Sequence, residues 1–508
     1  MEASDNKRIA KNTIFLYIRM MVVMLVSLYT SRVILNTLGA SDYGIYNVVG
    51  GIVTIVSFLN SALGGSTSRF LTFALGEKNL KKQKSTFGAC LNLHIGVALL
   101  VLILGETIGL WFFYEKMVIP DDRMVAAFWV YQFSILTTMV SFTQVPYNAS
   151  LIAHEEMSIY AYVGLYEALS RLVIAYLITI SPIDNLIFYG LLLLINTVVV
   201  QFFYRYYTVK HFEECRFSIV KDKTLYKQLL SYGGWDLFGN LALVCQGEGV
   251  NLLLNVFFGP IVNAARAIAF QIQGAVTQFV GNFMTAVRPQ VIKNYAEGNV
   301  DKMYVMTFYA AKFSYILMLA LVVPIVYEIR FILGIWLGDA VPDETALFAV
   351  IVLITYTWRT FHIAALMPYH AIGKIKTGNI TIGSLMIATL PMGYVLFRLG
   401  CPAYSVFLAI FAVEIVGMFA IYWLIHRYEY FPYRYVFTKI LLPCGLVTLC
   451  TIILPTLITH LMKDGWCRLF TVGFSTEISL VLSALYLGLN KEERTRIFSF
   501  IQNKLKHQ

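Results

Sequence analysis

Residues 231–287 read SYGGWDLFGNLALVCQGEGVNLLLNVFFGPIVNAARAIAFQIQGAVTQFVGNFMTAV. Two apolar stretches, 231–258 and 262–287, meet at Gly259-Pro260, and each exceeds the about 20 residues that carry a helix across a ~30 Å hydrocarbon core. Each also bears a polar stripe. In the first, Asp236, Asn240, Gly247 and Asn251 fall within about 60° of one another at helical spacing, with Glu248 beside them. In the second, Asn263, Arg266, Gln273 and Thr277 recur along one side. Two antiparallel helices, apolar around most of their circumference and polar along one seam, belong in a membrane and face something other than lipid.

The rest of the chain extends this reading. About fourteen stretches of spanning length occur, at 12–35, 43–68, 87–111, 124–145, 157–180, 186–204, 231–258, 262–287, 305–326, 345–366, 378–397, 403–425, 437–460 and 468–489. The composition agrees: 58% of the 508 residues are hydrophobic and only 13% charged, against about 25% charged in soluble domains. Backbone groups in hydrocarbon must be satisfied within each segment, so an all-α integral membrane protein is expected. The ten-residue alternation of a β-barrel is missing. The first stretch lacks a small-residue cleavage site and reads as a retained span. Seven cysteines without a CxxC motif read as packing residues.

Net charge is +10. It reflects basic cytoplasmic loops rather than nucleic-acid binding. With the N-terminus cytoplasmic, one set of loops and tails holds about 26 Lys and Arg and the opposite set about six, so both termini are placed on the cytoplasmic side. The longest basic loop, 209–230, divides an N-terminal six-helix bundle (1–208) from a C-terminal one (231–428). A helix pair (429–490) and a basic amphipathic tail (491–508) follow. The two bundles form a faint repeat at an offset of about 220 residues, as expected of parallel repeats in transporters. Gly39 corresponds to Gly259, Glu77 to Glu297, Asn79 to Asn299 and Lys82 to Lys302.

Charges inside the spans carry the functional argument. Arg19, Arg32, Arg69, Arg171, Arg266 and Arg359 all fall in or at the end of apolar stretches, with Lys312. A charge at the bilayer centre costs about 3 kcal/mol or more, so it faces a cavity, a partner or a substrate. Arg19 is the deeper cavity candidate of the first span, whereas Arg32 is close enough to its outer end to snorkel. Arg69 serves equally as a cytoplasmic anchor. Arg359 and His362 share one face of the tenth span. Glu106, Glu167, Asp236, Glu248, Glu414 and Glu477 bring the intramembrane charge near balance. Glu167 and Arg171, one turn apart, read as an internal ion pair. For Arg266 two readings stand. It lines a water-filled cavity with Asn263 and Gln273, or it is neutralised by Glu248 or Asp236 in an interhelical seam. A carboxylate paired to a cavity arginine is itself a candidate ion-coupling site, which singles out Asp236 and Glu248. No P-loop, HExxH, GxSxG or metal-ligand cluster occurs, and the external loops are short, so no catalytic residue, metal or cofactor is expected.

Three segments carry a family resemblance: LGASDYGIYNVVGGI at 38–52, LLLNVFFGPIVNAARAIAFQI at 252–272 and AVRPQVIKNYAEGN at 286–299. With the fourteen-span plan they resemble the polysaccharide repeat-unit (O-antigen and capsule) flippases of the multidrug/oligosaccharidyl-lipid/polysaccharide exporter superfamily, over nearly the whole chain. The resemblance implies a MATE-like fold and a monomer in the bacterial cytoplasmic (inner) membrane. The cargo it implies is an oligosaccharide on undecaprenyl pyrophosphate, carried from the inner to the outer leaflet with coupling to H⁺ or Na⁺. Polysaccharide polymerase and chain-length machinery are the implied partners, with membrane lipids and no nucleic acid. In related lipid II flippases, arginines of spans one, two and eight hold the pyrophosphate. By span, Arg19 or Arg32, Arg69 and Arg266 are the counterparts, with Arg359, Asn263 and Gln273 added from the polar faces. Many relatives place an Asp in span seven, where this chain has QGEGVN and Glu248. The rival is a cation-coupled multidrug exporter of the same fold, in which cavity carboxylates should outweigh arginines.

Overall fold

The structure, a computed structural model, describes the backbone over residues 2–54, 58–77, 79–154, 156–372, 375–429, 431, 433–489 and 494–495. Side chains are described from residue 24 onward, apart from 231–236 and scattered positions that include 69. The expectations placed on Arg19, Arg69, Asp236 and the amphipathic tail therefore lie outside the described residues.

Among the described residues the chain is overwhelmingly helical, with no strands. The helices are α1 (Glu2–Thr54), α2 (Phe58–Gly76), α3 (Leu80–Glu115), α4 (Met124–Ala153), α5 (Met157–Leu177), α6 (Asn185–His211) and α7 (223–258). They continue as α8 (Pro260–Ala296), α9 (Val300–Tyr327), the short α10 (Ile329–Leu337), α11 (Thr345–Ile372), α12 (Ile375–Arg398), α13 (Ser405–Tyr428), α14 (Tyr433–Leu461) and α15 (Trp466–Gly488). Among the described residues, 11 helices are long and apolar enough to cross a membrane. Of the other expected spans, 12–35 falls on α1 and 262–287 on α8, while 43–68 is shared between the end of α1 and the start of α2. Leu449, Ile453, Leu457, Phe470, Phe474 and Ile478 are all exposed. Rows of large apolar side chains turned outward identify hydrocarbon as the surrounding solvent, and the molecule as a multi-pass membrane protein.

Local chemistry explains the element ends. Asn79 caps α3 by accepting from the Lys82 N–H at 3.2 Å, and Asn299 occupies the equivalent cap of α9. Asp184 caps α6 through the N–H groups of Leu186 and Ile187 at 3.0 and 3.2 Å. Gly39 (φ 77, ψ 168) breaks α1, and Gly259 (φ 80, ψ −179) separates α7 from α8. The same backbone conformation, open to glycine and costly for any side chain, thus recurs at the two positions paired by the internal repeat. Pro146, Pro324, Pro368, Pro391 and Pro455 lie within helices, which membrane helices accommodate. Short π-helical turns interrupt α3 at Gly105–Gly109, α7 at Cys245–Gly249, α14 at Val436–Leu441 and α15 at Ala484–Gly488.

The chain forms two compact units. The first comprises Met1–Ala267, Asp339–Pro342 and Met386–Ala403. In it α4 packs on α6, α3 and α2, and α1 packs on α4 and α5. Leu71, Phe87, Leu91, Tyr147, Val200 and Tyr204 share one buried cluster. The second comprises Ile268–Gly338, Asp343–Leu385 and Tyr404–Gln508. There α11 lies between α9 and α13, and the α14–α15 hairpin packs on α9 through Leu319, Val323, Val447 and Leu480. All seven cysteines are free thiols.

Candidate functional site

In the first unit, the π-helical turn of α7 organises a buried polar seam. A π turn inserts one residue into the helical ladder and is a frequent device at functional sites. It leaves the Gly247 carbonyl oxygen accepting from Nη2 of Arg266 at 2.7 Å. Arg266 is only 7% exposed. One turn further, Asn251 donates to Glu248 Oε2 at 3.1 Å and to the Asn47 carbonyl of α1 at 3.3 Å. Asn263 on α8 returns two bonds to Asn251, to its carbonyl at 2.7 Å and its Oδ1 at 2.8 Å. A Cβ on Gly51 would stand 2.7 Å from Glu248 Oε2, so the glycine is what admits the carboxylate against α1. Asn255 closes the seam, accepting from the Val118 N–H at 2.9 Å and donating to the Val118 carbonyl at 3.3 Å. Asn251 of the first stripe and Asn263 of the second thus share one network with α1, and Arg266 ties α8 to the π turn of α7.

A cavity of about 600 Å³ lies between α1, α4, α5 and α6 of the same unit. Its lining is rich in hydroxyls and amides: Ser27, Thr30, Thr137, Ser141, Gln144, Asn196 and Thr197. Tyr46 and Tyr189, ring centroids 4.7 Å apart, form part of one wall. Glu167 and Arg171 both face the space. They are near enough for the guanidinium charge to act on the carboxylate. The Thr30 hydroxyl and the Asn196 amide oxygen are buried there without a protein hydrogen-bond partner among the described residues. Such groups await water or a polar occupant.

The second unit holds a separate charged cluster. Arg359 Nη1 lies 3.5 Å from Glu414 Oε1, and His362 Nδ1 lies 2.9 Å from Glu414 Oε2. The Arg359 guanidinium also rests over the Tyr356 ring, 5.1 Å from its centroid. Gln273 donates to Thr277 Oγ1 at 2.9 Å, one turn along α8. Lys312 is buried, 3.5 Å from the Gly488 carbonyl.

The structure therefore joins Asn263 to Glu248 through Asn251, and Arg266 to the Gly247 carbonyl beside Glu248 in the chain. Arg359 stands with Glu414, and Gln273 with Thr277. Arg32 is half-buried on α1, where its neighbour Ser31 lines the cavity. The cavity's hydroxyl lining escaped the sequence reading. Single Ser and Thr residues in apolar helices return their hydroxyls to the carbonyl one turn back, as Thr197 does to Leu193 at 3.0 Å, and leave no charge signal. The one signal that pointed there was Arg171 with Glu167.

No protein-family model matches this chain, and no curated protein sequence matches it. Its fold is nevertheless that of solved membrane transporters. A multidrug resistance MATE family transporter of the MOP superfamily, inward-facing, superposes with a TM-score of 0.67 at 14% identity, over 81% of this chain and 98% of that one. The lipid II flippase MurJ, in an inward closed conformation, gives 0.68 at 15% identity, over 93% and 98%. A MOP superfamily transporter from Pyrococcus furiosus gives 0.58 at 14%, over 81% and 94%. Identities this low speak for the fold, and the fold expected from the sequence is the one found.

Proposed function

We propose that this protein is a flippase that carries an undecaprenyl-pyrophosphate-linked oligosaccharide from the inner to the outer leaflet by alternating access. The observation that supports this reading best is the 600 Å³ cavity. Hydroxyl and amide groups at membrane depth suit a sugar head group, which must replace its hydration by hydrogen bonds. Arg171 at the same cavity supplies the forked donor that suits a phosphate. A lipophilic cation, the cargo of the rival drug exporter, would favour an apolar space with carboxylates in excess. Here one carboxylate, Glu167, faces one arginine. The fold held in common with both MATE transporters and a lipid II flippase agrees with either cargo, so the proposal rests on the lining.

In this reading Arg266 with Asn263, and Arg32, Arg359 and Gln273 with Arg19 and Arg69, form the wider set of polar groups along the transport route. Glu248 and Asp236 are the carboxylates for coupling to H⁺ or Na⁺. The protein works as a monomer in the bacterial inner membrane with both termini cytoplasmic, and delivers its cargo to polymerase and chain-length machinery. The test is reconstitution. Proteoliposomes holding a fluorescent undecaprenyl-pyrophosphate oligosaccharide should show protein-dependent exposure to a membrane-impermeant quencher. Arg171→Gln should slow it about tenfold, the equivalent of losing roughly 1.4 kcal/mol of phosphate binding. Efflux of a cationic dye with no movement of the oligosaccharide would favour the drug exporter.

A further inference from the structure

Glu414 is 1% exposed and His362 is 3% exposed, both inside the second unit. A carboxylate only accepts, so His362 donates from Nδ1 and carries its lone pair on Nε2. That Nε2 is buried and has no hydrogen-bond partner among the described residues, and neither has Glu414 Oε1. Arg359 supplies the balancing charge through a single 3.5 Å contact rather than a fork, with its guanidinium also held over Tyr356. The cluster is thus neutral, with one basic nitrogen left open. A Cβ on Gly417 of α13 would stand 3.3 Å from His362 Cε1, so the glycine leaves the imidazole room to settle against that helix.

We propose that His362 and Glu414 form a proton-binding site, loaded at His362 Nε2. A proton there converts the Nδ1–H bond to Glu414 into a charge-assisted one, which favours uptake. It also creates a buried Nε2–H without an acceptor, which opposes uptake until the helices around it shift. Proton occupancy and helix arrangement are therefore linked, as coupling requires. The charged and titratable neighbours are few. α11 itself adds Arg359 and Tyr356, and α13 adds Glu414. From α9, Tyr315 stacks on Phe361 with centroids 4.6 Å apart, while Lys312 is turned to the Gly488 carbonyl. Arg330 of α10 is exposed. The coupling consequence rests on the flippase reading; the protonation itself does not.

Two measurements on the full-length protein separate these points. In detergent without cargo, Trp358 reports on the site, since its ring lies 5.5 Å from that of Phe361. Its fluorescence, taken as the difference from Trp358→Phe, should show one pH-dependent transition. His362→Gln should abolish it. Glu414→Gln should move it to lower pH by removing the stabilising anion, and Arg359→Leu should move it to higher pH by removing the opposing cation. A transition that survives His362→Gln, or that neither charge variant moves, overturns the proposal. In proteoliposomes, a pH gradient should accelerate oligosaccharide translocation several-fold in the wild type and clearly less in His362→Gln. Translocation indifferent to the gradient overturns the coupling role and leaves the flippase standing. A His362 titration without any translocation supports the proton site and removes the flippase reading.

Discussion

Arg266 Nη2 lies 2.7 Å from the carbonyl oxygen of Gly247, inside the π-helical turn of α7. An arginine bonded to a backbone oxygen commits one arm to structure. Arg266→Ala would leave that carbonyl without its donor, at a cost of about 1–3 kcal/mol. Arg266→Lys keeps the charge and one donor but loses the fork. The alanine variant should lower both thermal stability and oligosaccharide translocation. The lysine variant should lower translocation much more than stability, read by unfolding in detergent beside the proteoliposome assay. Equal losses in the two variants on both readouts would reduce Arg266 to a structural tie.

Asn251 and Asn263 form one unit. Asn263 donates twice to Asn251, which in turn donates to Glu248 and to α1. Each alanine substitution should cost about 2 kcal/mol as buried polar partners are orphaned. The double variant should cost clearly less than the sum, with an interaction of about 1 kcal/mol or more in a double-mutant cycle of unfolding. Strict additivity would show that the two side chains act independently.

Gly44 of α1 approaches the link between α7 and α8 so closely that an added Cβ would stand 1.9 Å from the Pro260 carbonyl oxygen. Backbone on both sides cannot give way as a flexible side chain would. Gly44→Ala should therefore yield little folded protein, whereas Gly96→Ala, with nothing within 4 Å of the new Cβ, should be neutral or stabilising by up to about 1 kcal/mol. Monodisperse yield after size-exclusion chromatography compares them directly; equal yields would show that α1 shifts freely here.

Arg123 ties α1 to the α6 cap by bonding both Asp42 and Asp184. Burial acts on Asp184 in the upward direction, but the Arg123 hydrogen bond and the N–H groups of Ile187 and Leu186 outweigh it and hold the carboxyl below its ordinary 3.8. Burial dominates at Asp42 and pushes its carboxyl up despite Arg123. The signs therefore differ. Asp184 contributes stability that is present above its ordinary value and lost as pH falls through its depressed one. Asp42 binds a proton more readily folded than unfolded, so acid removes no stability through it. Asp184→Asn should flatten the acid-side fall of Tm, and Asp42→Asn should not. Flattening by Asp42→Asn alone would reverse this assignment.

Much of the fold was legible because apolar length and the Gly39–Gly259 correspondence are local signals. The two glycines share one backbone conformation, and Asn79 and Asn299 occupy the N-cap position of equivalent helices, though only Asn79 bonds a helix N–H. The polar stripes of 231–287 were legible for the same reason: Asn263 bonds Asn251, Asn251 bonds Glu248, and Arg266 reaches α7 at the Gly247 carbonyl. Less of the site's detail could be read. The π-helical turn at Cys245–Gly249 changes the angular register that a uniform 100° step assumes, so the bond from Arg266 to the Gly247 carbonyl could not be read from the stripe. Glu414 was visible only as a countercharge, because its approach to Arg359 and His362 depends on α13 packing against α11. The short α10 was missed, since nine residues are too few for a spanning signal.

The most direct measurement is the sidedness of lipid-linked oligosaccharide in membrane vesicles from cells that lack this protein. Intact undecaprenyl-pyrophosphate repeat units should be trapped in the cytoplasmic leaflet, and be released to the outer leaflet by the wild-type protein but not by Arg171→Gln. Normal outer-leaflet exposure without the protein, in cells with no second transporter of this kind, would contradict the flippase and leave the drug exporter in its place.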